Sequence, residues 1–412
     1  MKILYIVTAY KRHQDDVVTP WLVETIQRLR ADGIDVEVLA PSYRGLRSHT
    51  VDGVRVHRFR YAPARIEDLT HDQTAPDRIR SRPAYLALVP GYVASGALAA
   101  ARIVRRGRFD AVHVHWPIPH ALLGFAARLV TRVPVICTFH GVGLTWTNRQ
   151  LRPLKPLLRW IIRRSDAVTA NSTYTSAMIR AVYDREVHRI AFGSSIDVGS
   201  ETEATPSLDS GPLSLLFVGR LVARKGVRYL LDALTQARTR VPVELRVVGD
   251  GPLRESLEAH ARSAGVDDIV TFEGFVDDAT LRDRYRSADA FVLPAVVDEK
   301  GDTEGLGVVL IEALAHGKPA IASRTGGIVD VVKDDETGLL VEPGDTAALA
   351  EAIVRLAECP ELRARLGSQG RALVRDEFSW RTVVPRLEAL YRDVASKGRG
   401  RRVSRGLDGA HR

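Results

Sequence analysis

Short β-rich runs alternate with longer helical stretches along this chain, and the alternation occurs twice, which restricts the fold more than any single motif does. In the first half, apolar runs at 3–8, 35–40, 111–115 and 133–139 are separated by stretches long enough for helices, one of them at 21–31. Runs at 213–218, 244–248, 269–272, 290–293 and 319–322 repeat the rhythm in the second half. Strand–helix alternation of this kind builds parallel sheets with helices on both faces. The expected fold class is therefore α/β, with two doubly wound Rossmann-like domains whose parallel sheets face a central cleft. A length of 412 residues exceeds what one core usually organises, which agrees with two domains.

Residues 199–212, G-S-E-T-E-A-T-P-S-L-D-S-G-P, are polar and carry no hydrophobic period, as an interdomain linker does. The domains are then expected at 1–198 and 213–379, with a last helix over 380–395. The remainder, 396–412, is basic and poor in apolar residues, which predicts a disordered tail.

Hydrophobic content of 45% and charged content of 26% are those of an ordinary folded protein and exclude fibrous or disordered classes. The two cysteines, Cys137 and Cys359, are far apart and lack metal-ligand spacing, so neither a disulfide framework nor a zinc site is expected. A cytoplasmic setting fits that usage. The run at 3–10 lacks the length and cleavage site of a signal peptide and reads as a buried strand. Residues 84–101 are broken by Pro90-Gly91 and diluted by alanine, serine and glycine, so no membrane span is expected there.

The net charge of +9 permits attraction to nucleic acid, anionic lipid or phosphorylated small molecules and selects none of them. Scattered basic residues without an interleaved aromatic ribbon argue against nucleic acid. One basic amphipathic stretch stands out at 149–164, where Arg152, Lys155, Arg159, Arg163 and Arg164 alternate with Leu154, Leu157, Leu158, Trp160, Ile161 and Ile162. Two readings fit: a peripheral helix packing its apolar face into the core, or contact with an anionic membrane.

Chemistry concentrates in the second half. Residues 304–312 read E-G-L-G-V-V-L-I-E and set Glu312 about two turns inside an apolar helical segment, where a carboxylate needs hydrogen-bond donors such as sugar or ribose hydroxyls. Gly305 and Gly307 allow close approach of a ligand at the helix start, whose amides and dipole suit an anion such as phosphate. The loop G-R-L-V-A-R-K-G follows the 213–218 strand and places Arg220 and Lys225 at the carboxyl end of a parallel strand, the ligand edge of such sheets. Two cations there would stabilise a departing diphosphate. In the first half, V-H-V-H-W and T-F-H-G set His115, Trp116 and His140 at the ends of expected strands, with Gly141 leaving room behind His140.

In order along the chain, V-H-V-H-W, T-F-H-G, A-N-S, F-V-G-R-L-V-A-R-K-G, V-V-G-D-G-P-L-R-E, F-E-G-F-V, E-G-L-G-V-V-L-I-E-A-L-A-H-G-K-P, T-G-G-I-V-D and T-G-L-L-V-E-P-G-D resemble the motifs of glycosyltransferase family 4. That family has the GT-B fold and transfers sugars from nucleotide diphosphate donors with retention of configuration. The resemblance covers nearly the whole chain. It implies a donor site at 213–379, an acceptor site at 1–198, and a last helix that packs back on the first domain. It implies as catalytic residues Arg220 and Lys225 on the diphosphate, with Glu304 and His140 on the donor sugar. As donor-binding residues it implies Gly219, Phe275, Val276, Gly305, Leu306, Gly307 and Glu312, the last on the ribose and Phe275-Val276 beside the nucleobase. His115 and Trp116 become candidate acceptor or cleft residues.

No cofactor is expected; the nucleotide-sugar is a co-substrate. No D-x-D triplet occurs, and Arg220 with Lys225 can supply the charge that a divalent metal supplies elsewhere, so no metal is expected. The expected partners are a nucleotide-sugar, with UDP or GDP as its nucleotide, and a carbohydrate, lipid-linked or small-molecule acceptor. Departures from the family pattern are a first loop, 10–20, without paired glycines, Asp330 in place of glutamate, the 194–197 run S-S-I-D, and the polar insertion 298–303 beside Glu304. Two rival readings remain at this point: an epimerase or phosphorylase-like GT-B enzyme, and a non-catalytic anion-binding or membrane-surface protein.

Overall fold

The computed structural model describes residues 1–16, 18–72, 75–149, 151–194, 211–299 and 301–408. They form two compact units, one from Met1–Asn171, Thr175–Ile190 and Val384–Arg412, the other from Ser172–Tyr174 and Ala191–Val383. Most of the segment expected as a linker, and most of the 194–197 run, lie outside the described residues.

The first unit holds β1 (Lys2–Ile6), β2 (Asp35–Pro41), β3 (His49–Val51), β4 (Val54–Phe59), β5 (Ala111–His115), β6 (Val135–Phe139), β7 (Ala167–Ala170) and β8 (His188–Arg189). Their order in the sheet is β3-β4-β2-β1-β5-β6-β7-β8, parallel except for the β3–β4 hairpin. That hairpin turns through Asp52-Gly53, both at positive φ, the conformation that an Asp-Gly pair favours. Helix Pro20–Ala31 starts on a proline and buries Leu22, Ile26 and Leu29, one stripe at helical spacing.

Strands β9 (Leu213–Val218), β10 (Val243–Val248), β11 (Val270–Gly274), β12 (Ala290–Leu293), β13 (Ala320–Ser323) and β14 (Gly338–Val341) form the second unit's sheet. Its order is β11-β10-β9-β12-β13-β14, and every pair is parallel. The inner strands are covered on both faces, so Leu215, Leu216, Phe217, Phe291, Val292 and Leu293 are all buried in succession. Side chains of Asp277 and Asp345 accept from the amides of Thr280 and Ala348 and start helices Asp278–Ser287 and Thr346–Glu358.

Two segments differ from expectation in informative ways. The last helix runs Trp380–Asp408, across most of the stretch expected to be disordered. A helix already nucleated on buried Val383, Val384, Leu387, Leu390 and Tyr391 extends at the cost of one residue per bond. Ion pairs Arg392–Glu388 (2.8 Å) and Lys397–Asp393 (2.6 Å) at i,i+4 support the exposed side. Pro83–Arg106 is long and apolar enough, by length and composition, to cross a membrane. Within the first unit, Tyr92, Gly96, Ala100 and Val104 form its buried stripe, and a Cβ at Gly96 would lie 2.6 Å from Leu123 Cδ2, so Leu123 would have to shift.

Candidate functional site

In the second unit, β9 lies mid-sheet, and the chain runs from it first outward to β10 and later to β12 on its other side. The loops leaving β9 and β12 therefore diverge at the point where doubly wound sheets open a ligand crevice. After β9 come Gly219 and Arg220, then the turn Ala223–Lys225 that leads into helix Val227–Ala237. Glycine is required at 226: φ is +71°, and a Cβ there would lie 1.8 Å from the carbonyl oxygen of Pro294, the residue after β12. The same splice includes a bond from Val296 N to the Arg224 carbonyl, 2.9 Å.

This splice brings Lys225 to Glu304. The Lys225 ammonium lies 2.5 Å from Glu304 Oε2, and Arg224 Nη1 lies 3.3 Å from the same oxygen. Burial acts to raise the Glu304 carboxyl, but the two cations outweigh it and hold the group below the usual carboxylate range. Beside it, burial raises Asp302 while Arg224 opposes the rise. The loop after β13 closes in from behind, with Gly327 N donating to the Glu304 carbonyl at 2.9 Å. A Cβ added at Gly326 would be 2.1 Å from that oxygen.

The other residues singled out in this half take separate places. Gly219 abuts Lys225, since a Cβ there would lie 3.7 Å from its Nζ. Arg220 is exposed and makes no ion pair among the described residues. Leu306 is buried, and Gly307, at φ +85°, is the N-cap of helix Val308–Ala315 with no side-chain cap on the first-turn amides. Glu312 sits on that helix, where burial raises its carboxyl above the ordinary range. Its expected polar partner is supplied in part by the protein, because the Tyr285 hydroxyl donates to Oε2 at 2.8 Å. Phe275 follows β11 and is 84% exposed; Val276 is half-buried. Sequence reading missed Arg224 and Tyr285. Arg224 had a signal, its adjacency to Lys225, whereas Tyr285 reaches Glu312 only through the fold.

The first unit has its own switch point between β1 and β5. His115 ends β5 and His140 follows β6; their rings stack at 5.3 Å, with Nδ1 of His115 3.1 Å from Nε2 of His140. Trp21 and Trp116 lie 5.0 Å and 4.7 Å from the His140 ring. Behind them His113 joins the Tyr391 hydroxyl (2.7 Å) and Thr138 (2.5 Å), and Tyr391 joins Tyr5 (2.6 Å). Burial pushes His113 and His140 down to about 3 and also lowers His115, so the three rings are neutral at neutral pH. Neutral His115 and His140 share one proton across their contact, and Nε2 of His115 is buried without a hydrogen-bond partner among the described residues.

Residues 200–373 match the family described as Glycosyl transferases group 1, and 19–193 match Glycosyltransferase Family 4. A GDP-mannose-dependent alpha-(1-6)-phosphatidylinositol monomannoside mannosyltransferase of Mycolicibacterium smegmatis is 32% identical over 66% of this chain and 73% of its own length. The chain belongs to glycosyltransferase family 4. Another relative, the N-acetyl-alpha-D-glucosaminyl L-malate synthase of Bacillus anthracis, is 29% identical over 74% of this chain and 80% of its own. Among solved structures, sucrose-phosphate synthase from Thermosynechococcus elongatus matches with TM-score 0.74 and 24% identity, covering 96% of this chain and 99% of that one. Anabaena HepE, solved with UDP and glucose, matches with TM-score 0.70 and 20% identity over 95% of this chain and 100% of that one. These likenesses identify the GT-B fold of this family 4 glycosyltransferase.

Proposed function

We propose that this glycosyltransferase moves a sugar from a UDP- or GDP-linked donor, with retention, to a hydroxyl of a glycan, lipid-linked or small-molecule acceptor. The observation that carries the donor reading is the second unit's switch point, where exposed Arg220 shares the loop after β9 with Lys225, and Lys225 meets Glu304 three residues before the N-cap of a helix without a side-chain cap. In this reading Arg220 and Lys225 take the diphosphate, Glu304 and the amides of Gly305, Leu306 and Gly307 take the sugar, and Glu312 takes the ribose. Exposed Phe275 with Val276 lies against the base. Assignment of His140 to the reacting sugar, and of His115 and Trp116 to acceptor or cleft, rests on the family resemblance.

The bond between the anomeric carbon and the phosphate oxygen breaks, and its electron pair leaves with the diphosphate. The acceptor oxygen bonds to the same face of that carbon, and its proton passes to an oxygen of the departing diphosphate. Fixed cations stabilise the charge that grows on the leaving group, so no metal is invoked. Incubation with UDP- and GDP-sugars plus an acceptor panel should release the nucleoside diphosphate and yield a product of unchanged anomeric configuration. Inversion, or activity abolished by EDTA, would contradict the reading. Sugar interconversion without nucleotide release would favour an epimerase instead.

The cysteine usage supports a cytoplasmic setting, and one observation favours peripheral contact with anionic membrane as well. On helix Lys155–Arg164, Leu158, Ile161 and Ile162 are buried, but Trp160 is 41% exposed among Arg159, Arg163 and Arg164. An interfacial tryptophan amid arginines suits a headgroup layer. Flotation with anionic vesicles at low salt tests this, and failure to float removes it.

A further inference from the structure

The donor reading accounts for Lys225 and Arg220 and leaves Arg224 without a task. Yet Arg224 meets the same oxygen of Glu304 as Lys225 does, so one carboxylate is held by two cations. Resting on the donor-site reading, we propose that Arg224 is a positioning residue for Glu304: it keeps that carboxylate seated and ionised when the donor's diphosphate draws Lys225 toward itself.

Charge bookkeeping supports the assignment. Lys225, Arg224 and exposed Arg220 bring three positive charges to one loop, Glu304 brings one negative charge, and a diphosphate brings about two more, which leaves the filled site near neutral. Without Arg224, the arriving phosphates would face Glu304 with one cation fewer and would push it toward protonation. Arginine suits the task because its guanidinium stays charged and offers a planar fork of donors, whereas the lysine ammonium is a point charge on a flexible stem. Its base is also fixed. Val296 N donates to the Arg224 carbonyl, and Gly226 is packed on Pro294, so Arg224 is tied to the strand-end segment that leads to Glu304. Among the described residues, the titratable groups facing Glu304 are Lys225 and Arg224 from the β9 loop and Asp302 from its own segment, with Asp298 next to Asp302; the glycines behind it from the β13 loop carry none.

The sign of the pH effect follows. The two cations hold Glu304 below the ordinary range, so loss of one raises it, and activity should fail at a higher pH on the acid side. The experiment measures kcat and KM for the donor against pH, with nucleoside diphosphate affinity by calorimetry, for the wild type, Arg224→Met, Arg224→Lys, Glu304→Gln and the Arg224→Met/Glu304→Gln pair. Arg224→Met should bind the diphosphate within about threefold of wild type and lose about tenfold in kcat, part of the effect of removing a direct electrostatic contact. Its acid limb should move to higher pH, Arg224→Lys should restore most of the rate, and Arg224→Met should add little to Glu304→Gln. Unchanged kcat and acid limb in Arg224→Met, or full additivity with Glu304→Gln, overturns the inference while the donor reading stands. A wild type that binds no nucleoside diphosphate overturns both.

Discussion

The carboxyl edges of the two sheets use the same architecture for opposite electrostatics. In the first unit the edge is packed with neutral rings: His113, His115 and His140 among Tyr5, Trp21 and Trp116, with a hydroxyl from Tyr391 closing the network. In the second, fixed charges gather at the edge, where Lys225 and Arg224 meet on Glu304 and exposed Arg220 makes no ion pair among the described residues. A doubly wound sheet thus dictates where a ligand binds and leaves the loop residues to decide whether that place is dry and neutral or charged. Neutral imidazoles in the first unit suit hydroxyl hydrogen bonding, and cations in the second suit phosphate.

The largest expected effect tests the charged edge. Lys225→Met should lower kcat by about 10²–10³-fold, the cost of removing one preorganised contact to developing charge, with little change in hydrogen exchange of the first unit. A loss below tenfold would mean that Lys225 is chiefly a structural partner of Glu304.

Acid should instead strike the neutral edge. His113 and His140 sit near 3 when folded and near 6.5 when unfolded, so their contribution is fully present above about 6.5 and is lost as pH falls toward 3. Each withdraws roughly 1.4 kcal/mol per pH unit in that window. Hydrogen exchange at pH 7 and pH 5 should show strands β5 and β6 losing protection before β9 and β12; equal losses in both sheets would break the contrast. Tyr391→Phe is a smaller probe of the same edge: removal of the hydroxyl that bridges His113 and Tyr5 should cost about 1–2 kcal/mol, read by denaturant unfolding. Least affected should be stability in Phe275→Ala, within about 0.5 kcal/mol because the ring is exposed, while nucleotide affinity falls; unchanged affinity would remove Phe275 from the base site.

The expected runs covered most central strands and the edge strand β11, and they missed β3, β4, β7, β8 and β14, the shortest of them for a physical reason. Strands β9 and β12 are buried on both faces and appear as unbroken apolar runs, while β8 has two residues and β3 three, too few to carry a period. At the site, Lys225 and Glu304 could be singled out because each lies in a glycine-marked loop. Tyr285 could not, since it is one tyrosine on a polar helix until Glu312 is brought to it. Tyr391 and His113 are 278 residues apart, and no local pattern joins them. Helix in the basic tail was missed because composition measures the tail alone and not the anchored helix that it continues.

The central claim is that one edge of the second sheet receives the nucleotide-sugar. Calorimetric titration of UDP- and GDP-sugars into wild type, Arg220→Ala and Glu312→Ala tests it most directly. Saturable binding of one of the two donors by the wild type, weakened about tenfold or more in each variant, is the expected result. Binding that is equally tight in both variants would contradict the account.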